Sequence, residues 1–401
     1  KETCMNAPIR YLSQTIIILA SKVALLLPVK PGRIVCHSYN AISQYADSPM
    51  YIAEYLLHEY GKDCEIIWLS ENPAKFDYLK ERGIVAIKKR SLKDFYYSNT
   101  ACAYISNLFG TPSHVLKRRG RLVIETTHGV AYKSLISGVF DEAKGKRTYK
   151  WQKAFFSRSI NRCDLCLSGS KITSETVYRD ELGYKGEILE KGLPRNDVFF
   201  GDTAEVRESV RSRLNLDPDI KIAVVMPTWR KEQSTANIAL DYKALVGVLS
   251  RSYGGRWKVL LRLHPLTTAD RSGILEKNKD HVVDVTTGFE SQEVMCASDL
   301  LITDYSSVIW DFALLGRPIL LFQPDLGEYE EERGFNVPPS EWGLPAAKTS
   351  EELVRLVGDI PYDMLCNMAK AHLSRFGSYE TGHATEAVCD ILRPYIVGKK
   401  T

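Results

Sequence analysis

The chain has 401 residues, of which 44% are hydrophobic and 25% are charged. These proportions are those of an ordinary globular protein, and at about 150 residues per domain the length allows two or three domains. The sequence contains no fixed-period repeat and no low-complexity segment, which argues against a solenoid or a disordered chain.

Charge is unevenly distributed along the chain. The net charge is only +4, but residues 1–200 hold 30 Lys and Arg against 20 Asp and Glu, whereas residues 201–401 hold 23 against 29. A basic half beside an acidic half favours a polyanionic partner such as lipid head groups or phosphate. Nucleic acid fits the charge equally well.

The nine cysteines are scattered without a cluster of Cys and His ligands, and their odd number argues against a complete disulfide framework. We therefore predict a reduced, cytoplasmic compartment. Cys163 and Cys166 have the spacing of a redox pair, but they lie where a buried strand is predicted to begin. We interpret both thiols as core residues.

Residues 9–29 form the most apolar window. Their longest apolar run, residues 16–20, is five residues long, against the roughly 20 needed to span a bilayer. The window fits either an interfacial helix or the core-facing helix of a soluble domain, and the basic first half favours a membrane surface. No signal-peptide cleavage pattern follows it. One helical face collects its large apolar side chains, Leu12, Ile16, Leu19, Val23 and Leu26.

From residue 33 onward, short apolar strands alternate with amphipathic helices. This alternation predicts right-handed βαβ units and a parallel sheet with helices on both faces. In the first half, strands are predicted at residues 34–36, 65–69, 84–87, 101–106, 122–126, 165–167 and 187–190, and helices at 49–60, 73–82, 149–162 and 172–182.

Turn-forming residues around Gly201-Asp202-Thr203 mark a domain boundary. The alternation then restarts. Strands are predicted at residues 222–226, 258–263, 282–285, 300–303 and 319–322, and helices at 204–214, 242–250 and 290–296 and from near Ser307 to 315. The predicted fold class is α/β, with two Rossmann-like domains facing one another across a cleft. The predicted segments are a membrane-surface helix at 1–30, the two domains at 31–200 and 201–375, and a C-terminal helix at 376–401 that could cross back to the first domain.

Four polar groups of residues follow predicted strands, where ligands of doubly wound sheets bind. Each group by itself is compatible with a structural role, and Asp304 or Ser306 is also the expected N-cap of a helix beginning near Ser307. Together, the arginines and the serine pair indicate a diphosphate site, because arginine donates in a planar fork to phosphate oxygens. The groups are Thr127-His128-Gly129, Pro227-Thr228-Trp229-Arg230, Arg262-Leu263-His264-Pro265 and Thr303-Asp304-Tyr305-Ser306-Ser307.

His128 differs from the other groups because it belongs to the first half of the chain. It is the best candidate for a general base, since the pKa of histidine lies near neutrality. The sequence contains neither the phosphate-binding loop of nucleoside triphosphatases, nor the dinucleotide-binding fingerprint, nor the HExxH zinc motif. No Asp-x-Asp signature stands at a predicted strand end, so we predict neither a protein-bound metal nor a cofactor.

Six motifs follow one another along the chain: His128-Gly129 with Lys133, Gly192-Leu193-Pro194-Arg195-Asn196-Asp197, Pro227 to Arg230, Arg262 to Pro265, Thr303 to Asp311, and Tyr329 with Arg333-Gly334. In this order they resemble the motifs of a known family, the CDP-glycerol glycerophosphotransferases of teichoic-acid and capsule synthesis. The resemblance covers about residues 120–385.

The resemblance implies a GT-B fold with the acceptor in the first domain and the donor in the second. The implied reaction transfers glycerol phosphate from CDP-glycerol to a hydroxyl and releases CMP, with His128 and His264 as catalytic residues. The donor diphosphate would contact Arg230, Arg262, His264, Thr303, Ser306 and Ser307. Further candidates in the donor site or cleft are Lys133, Arg195, Asn196, Thr228, Asp304, Asp311 and Arg333.

The implied acceptor is a saccharide on a lipid carrier, undecaprenyl diphosphate, and nucleic acid is no longer expected. The protein would then be peripheral, on the cytoplasmic face of the cell membrane. Its length favours a priming transferase over a polymerase of glycerol or ribitol phosphate. A non-catalytic module that binds anions or lipids is the competing class. The alditol, the acceptor, the number of units added and the oligomeric state stay open.

Overall fold

The computed structural model describes residues 7–38, 45–130, 135–136, 145–230, 236–264, 267 and 271–397. Lys133, one of the candidate site residues, lies outside these ranges. The chain divides into two compact units. The first contains Lys1–Val130, Ser134–Asp197 and Tyr379–Thr401, and the second contains Ala131–Lys133 and Val198–Ser378.

The first unit is built on a parallel sheet with the order β3-β2-β1-β4-β5-β6-β7 across its described residues. Its strands are β1 (Lys30–His37), β2 (Glu65–Ser70), β3 (Ile84–Lys88), β4 (Ala101–Ser106), β5 (Leu122–Glu125), β6 (Leu165–Leu167) and β7 (Glu187–Leu189). Its helices begin with α1 (Ala7–Ser21), α2 (Asp47–Tyr60), α3 (Leu92–Thr100) and α4 (Gly145–Ile160), with 3₁₀ segments at Lys22–Leu26, Gly61–Asp63, Pro73–Arg82 and Pro194–Phe199 and a π-helix at Thr173–Glu181.

The second unit repeats this plan, with the strand order β10-β9-β8-β11-β12-β13. Its strands are β8 (Ile220–Val225), β9 (Arg256–Leu261), β10 (Val282–Asp284), β11 (Leu300–Thr303), β12 (Ile319–Phe322) and β13 (Ala346–Ala347). Its helices are α5 (Thr203–Arg213), α6 (Tyr242–Tyr253), α7 (Ser272–Lys277), α8 (Ser291–Ala297), α9 (Val308–Ala313), α10 (Leu326–Arg333), α11 (Ser350–Asp359) and α12 (Tyr362–Phe376), with 3₁₀ turns at Ala236–Ile238 and Pro339–Glu341.

Both sheets are parallel and both strand orders are of the Rossmann type, which confirms the predicted α/β class. The order reverses between β1 and β4 in the first unit and between β8 and β11 in the second. In such sheets ligands bind beyond the carboxyl ends of the strands at this reversal. The two reversals therefore mark where each unit can hold a ligand.

The last helix of the chain, α13 (Ala384–Ile396), belongs to the first unit. It packs on α2 and β1 and buries Val388, Cys389 and Leu392 in the core beneath the sheet. The N-terminus of α13 is held by Asp197, whose carboxylate accepts the backbone N–H groups of Ala384 and Thr385 at 3.0 and 2.7 Å. A carboxylate at this position satisfies free amides and favours the helix dipole.

Helix α3 is one of the helices that the sequence pattern did not predict, together with α7, α10, α11 and α12. Its N-cap is Ser91, whose hydroxyl accepts the N–H of Asp94. The face that α3 buries is polar, since Asp94, Ser98, Asn99 and Thr100 are all buried. Hydrophobic periodicity identifies helices with an apolar buried face, so it did not reveal this one.

Helix α1 is held by its polar side. Gln14 and Ser21 are buried, and Arg158 donates to the hydroxyl of Thr15 at 2.6 Å. In contrast, the apolar face identified in the sequence is exposed, from 56% at Leu19 to 84% at Leu26. A core-facing helix of a soluble domain would have the opposite orientation, so that alternative is wrong. The thiols of Cys163 and Cys166 are buried as predicted.

Candidate active site

Three of the four predicted polar groups meet at one edge of the second sheet. They follow β8, β9 and β11, which are adjacent in the sheet. The loops after β8 and β11 are joined directly, because Asp304 Oδ1 accepts the backbone N–H of Thr228 at 2.8 Å and its hydroxyl at 2.7 Å. This link lies at the strand-order reversal, where a ligand of this unit is expected.

Arg230 is the centre of a buried ionic network at this edge. It donates to Asp304 Oδ2 at 2.8 Å, to both carboxylate oxygens of Asp325 at 2.6 and 3.1 Å, and to the carbonyl of Thr228 at 2.8 Å. All three guanidinium nitrogens therefore have protein acceptors. These contacts use four of its five N–H groups, so Arg230 mainly holds the site together and can offer a phosphate at most one further donor, on Nη1.

Two tyrosines stack beside this network. The rings of Tyr305 and Tyr329 are 4.2 Å apart and nearly parallel, and the Arg230 guanidinium lies 5.1 and 4.6 Å from their centroids. Burial disfavours the charge of Arg230, but the hydrogen bonds and charges of Asp325 and Asp304 outweigh it and raise its pKa. Burial likewise opposes ionisation of Asp325, yet Arg230 holds the pKa of that carboxyl below its usual value.

Arg262 also builds a loop, through its Nε and Nη1 atoms. Its Nε donates to the hydroxyl of Ser291 at 3.1 Å, and Nη1 donates to the carbonyls of Val285 and Phe289 at 3.0 and 2.8 Å. Burial lowers the pKa of Arg262. These contacts fix the loop between β10 and α8. This loop follows β10, the neighbour of β9 in the sheet.

The serine pair lies before α9, which has only six residues. Ser306 Oγ accepts the N–H of Val308 at 3.4 Å, a long contact, and the hydroxyl of Ser307 does not cap the helix. The prediction that Asp304 caps α9 is wrong, since its carboxylate bonds to the loop after β8 and to Arg230 instead. Both serine side chains are half-buried, so their hydroxyls can serve a ligand at little cost to the helix.

The remaining candidates in the second unit are distributed around this edge. Thr303 is buried, and its hydroxyl donates to the carbonyl of Met226 at 2.6 Å. His264 is half-buried, and its carbonyl accepts the N–H of Thr267 at 2.8 Å. Asp311 is buried on α9. Arg333 is the last residue of α10, and its side chain lies outside what the structure describes.

His128 follows β5 in the first unit and is oriented by two neighbours. Its Nδ1 lies 2.8 Å from the carbonyl oxygen of Asn107. A carbonyl can only accept, so Nδ1 carries the hydrogen and Nε2 is the basic nitrogen of the neutral ring. The ring of Phe109 packs edge-on against the imidazole at 4.8 Å.

A closed set of contacts ties His128 to Arg195. Asp47 Oδ2 accepts from the side-chain amide of Asn107 at 2.9 Å and from Arg195 Nη1 at 3.3 Å, and the same arginine nitrogen donates to the carbonyl of His128 at 2.9 Å. Asp47 has a φ of 66°, a conformation that residues other than glycine rarely adopt. Such strain is retained where surrounding contacts determine the local geometry.

The motif from Gly192 to Asp197 thus has a physical role in the first unit. Arg195 supports the His128 loop. Asn196 donates to Glu380 Oε1 at 2.9 Å, and the same carboxylate accepts the N–H of Leu193 at 3.0 Å. With Asp197 at the start of α13, the motif joins the loop of His128 to the chain segment that returns from the second unit.

Beneath the His128 loop lies Glu125, the last residue of β5, which is fully buried. Its carboxylate accepts the backbone N–H groups of Leu108, Gly110 and Thr127 at 3.1, 3.0 and 2.9 Å. Burial raises the pKa of Glu125 to about 8, while these N–H groups act in the opposite direction.

Sequence reasoning missed several of these residues. Asp325 lies three residues after β12, and the strand-end rule that found the other groups would have found it. Glu125 is a carboxylate in an otherwise apolar strand, Leu122-Val123-Ile124-Glu125, which is a signal in itself. Asn107 directly follows the strand predicted at residues 101–106, so the same rule would have found it as well, whereas Asp47 carried no local signal. Within the described residues, no group of three or more His, Cys, Asp and Glu side chains is placed to hold a metal ion.

These two sites can now be compared with known proteins. The family of CDP-Glycerol:Poly(glycerophosphate) glycerophosphotransferases matches residues 19–393. The chain belongs to this family. The match includes both the His128 loop and the Arg230 network, so the two sites belong to the part of the chain that the family shares.

Individual glycerophosphotransferases show the same likeness. The chain is 30% identical over 379 residues to a teichoic acid poly(glycerol phosphate) polymerase of Staphylococcus epidermidis, covering 91% of this chain and 51% of the relative. It is 28% identical over 367 residues to a teichoic acid glycerol-phosphate transferase of Staphylococcus aureus, covering 87% of this chain and 90% of the relative. The chain thus spans about half of the first relative and most of the second.

The solved structure of the wall teichoic acid polymerase TagF matches this chain at a TM-score of 0.77, with 27% identity and 98% of each chain covered. A putative UDP-N-acetylglucosamine 2-epimerase of Listeria monocytogenes matches at a TM-score of 0.53 with 12% identity, a likeness of fold alone. The architecture is therefore GT-B-like, and the likeness to TagF extends over 98% of this chain.

Proposed function

We propose that the protein transfers glycerol phosphate from CDP-glycerol to a hydroxyl of a lipid-linked saccharide in teichoic acid synthesis and releases CMP. Membership of the glycerophosphotransferase family supports the reaction class. TagF, its structural relative, has been solved after soaking with CDPG. The observation in this chain that carries the proposal is the Asn107 contact, which makes Nε2 of His128 the basic nitrogen.

In the proposed reaction, His128 Nε2 accepts the proton of the acceptor hydroxyl as the hydroxyl oxygen attacks the phosphorus distal to cytidine. The bond from this phosphorus to the bridging oxygen breaks, and its electron pair leaves with CMP. The new bond joins the acceptor oxygen to glycerol phosphate, and the proton passes from His128 to solvent. A positioned base of this kind contributes a factor of roughly 100 to 10,000 to the rate.

The second unit supplies the donor site in this proposal. His264, Ser306 and Ser307 are half-buried polar residues that follow β9 and β11, the two neighbours of β8 in the sheet, and we assign them to the diphosphate. Arg230 and Arg262 hold the surrounding loops, and through them the donor groups. Preorganised donors typically contribute a factor of about 100 to 1,000 each, because they need not reorganise as charge develops.

We further propose that α1 holds the enzyme on the cytoplasmic face of an anionic membrane. Pro8–Leu26, with a mean hydropathy of 1.4 over its most apolar window, is long and apolar enough to cross a membrane by length and composition alone. The expectation that this segment is too short to span is therefore wrong. The contacts of this segment favour the membrane surface, since a spanning helix would lose its hydrogen bonds from Arg158 and Arg118.

The function is tested by incubating the full chain with CDP-glycerol and an undecaprenyl-diphosphate disaccharide and measuring CMP release. A parallel reaction with CDP-ribitol identifies the alditol, and mass analysis of the product counts the units added. CMP release that depends on both substrates supports the proposal. Binding of CDP-glycerol without CMP release from any acceptor would contradict it and favour a non-catalytic module.

A further inference from the structure

One buried carboxylate accepts hydrogen bonds from both segments that surround His128. Glu125 lies at the end of β5, and its side chain is completely shielded from solvent. Its Oε2 accepts the N–H groups of Leu108 and Gly110, and Oε1 accepts the N–H of Thr127. The first two belong to the segment after β4, and the third belongs to the residue directly before His128.

Both segments contain a residue in a conformation that favours glycine. Phe109 has a φ of 55° and Thr127 a φ of 54°. Phe109 lies between the two N–H groups that Oε2 accepts, and Thr127 donates to Oε1 itself. Neither residue would keep this conformation without a strong local constraint. Three backbone N–H groups converge on this one buried side chain and would be left without an acceptor if the segments moved, so Glu125 supplies that constraint.

The two contacts that orient the imidazole come from the same constrained segment. Asn107, whose carbonyl fixes the hydrogen on Nδ1, directly precedes Leu108, and the Phe109 ring packs against the imidazole edge-on. We propose that Glu125 is a positioning residue for His128, which sets both its tautomer and the direction of its basic nitrogen. This inference rests on the proposed role of His128 as the general base.

The hydrogen bonds of Glu125 within the described residues all come from donors, which makes its replacement by an amide informative. Gln at this position keeps the size but turns one acceptor oxygen into a donor that faces N–H groups. Loss of one or two of these bonds should shift the Asn107 carbonyl and the Phe109 ring. A displacement of about 1 Å at the reacting centre is enough to reduce a rate about a hundredfold.

Glu125→Gln and Glu125→Asp are the test variants, and Asp94→Asn is the matched control. Asp94 is also a buried carboxylate of the first unit, 2% exposed, and it accepts the N–H of Arg90 at 2.7 Å and the hydroxyl of Ser98 at 2.7 Å. It lies outside the His128 contacts described above. The control therefore reports what the loss of a buried carboxylate does to folding alone.

Two measurements are made on each folded variant. The first is the separation of kcat from the KM for CDP-glycerol. The second is the ¹⁵N spectrum of histidine-labelled protein, with the His128 signals assigned by their loss in His128→Ala. We expect Glu125→Gln to lower kcat at least tenfold, to leave the donor KM within about twofold, and to alter the ring ¹⁵N shifts of His128. Glu125→Asp should give an intermediate loss, and Asp94→Asn should change none of these.

The proposal is overturned if a folded Glu125→Gln variant keeps wild-type kcat, or if its His128 signals match those of the wild type. If Glu125→Gln does not fold, Glu125→Asp decides by the same two criteria. The ¹⁵N measurement needs no turnover. A wild-type protein that releases no CMP would therefore refute the proposed function and leave the spectrum to decide whether Glu125 orients the ring.

Discussion

The Nδ1 atom of His128 lies 2.8 Å from the carbonyl oxygen of Asn107, so the hydrogen of the neutral ring is on Nδ1 and the lone pair is on Nε2. The carbonyl of His128 is held in turn by Arg195 at 2.9 Å. A histidine with one nitrogen fixed in this way presents the other in a defined direction, which is what general-base catalysis requires.

We expect His128→Ala to lower kcat at least a hundredfold while leaving the affinity for CDP-glycerol nearly unchanged, because the residue acts on the acceptor proton. Turnover is measured by CMP release and donor affinity by calorimetry. His58→Ala is the control, since His58 is an exposed histidine of the same unit, on α2. Wild-type turnover in His128→Ala would remove the residue from the mechanism.

Alanine at Ser306 or Ser307 should raise the KM for CDP-glycerol several-fold. Neither hydroxyl contributes a strong cap to α9, so the free energy of unfolding should fall by less than the roughly 1 kcal/mol of a lost cap. Ser374→Ala serves as the control, because that hydroxyl bonds only within α12. A large loss of stability with normal kinetics would show that the pair is purely structural.

Arg230→Met should destabilise the protein by about 3 to 5 kcal/mol, because it leaves Asp304 and Asp325 without their buried partner. The free energy of unfolding is measured by urea denaturation. Arg256→Met is the matched control. Arg256 pairs with two aspartates on the surface, and exposed pairs contribute only about 0 to 1 kcal/mol. Equal losses in the two variants would mean that burial of the Arg230 network does not matter.

The protein should lose stability in acid through His372, a buried histidine whose Nδ1 donates to the carbonyl of Trp342 at 2.7 Å. Burial lowers its pKa to about 4, below the value of about 6.5 for an unfolded chain. The contribution is therefore complete above pH 6.5 and is lost as the pH falls towards 4. It amounts to about 3 kcal/mol.

Urea denaturation of wild type and His372→Phe between pH 7 and pH 4.5 measures this effect. Phe can pack against Trp310 and Phe376 as the imidazole does, and it does not titrate. The variant should be less dependent on pH than the wild type, even if it is less stable throughout. Identical slopes would show that His372 is not the titrating group. His37, whose pKa burial also lowers, to about 3, is present in both proteins and cancels.

Leu19→Glu should abolish binding to anionic vesicles, because it places a charge on the exposed apolar face of α1. Met364→Glu is the control, since Met364 is a 52% exposed apolar residue on α12, which belongs to the second unit. Wild-type binding should weaken in high salt, as each basic side chain near the surface contributes only about 1 kcal/mol and is screened. Retention of the wild type on membranes in alkaline carbonate would indicate a span instead.

Sequence patterns predicted most strands, because buried parallel strands are short apolar runs bounded by turns. Residues 300–303 and 319–322 were predicted within the bounds that β11 and β12 have. The same reasoning placed His128 and the Arg230 group at strand ends. It failed for α3, where the buried face is polar, and for Asp304, whose carboxylate bonds to the loop after β8 rather than to its own helix.

By itself, the sequence determined the two parallel sheets, the strand-end position of the site residues and the apolar face of α1, since these depend on local periodicity and on residue order. Only the tertiary structure decided which partners each polar side chain takes. Arg230 is occupied by Asp304 and Asp325, 74 and 95 positions away in the chain, and His128 is set by Asn107, 21 positions away. Such pairings depend on the order of the strands within the sheet, and residue spacing within one element does not specify that order.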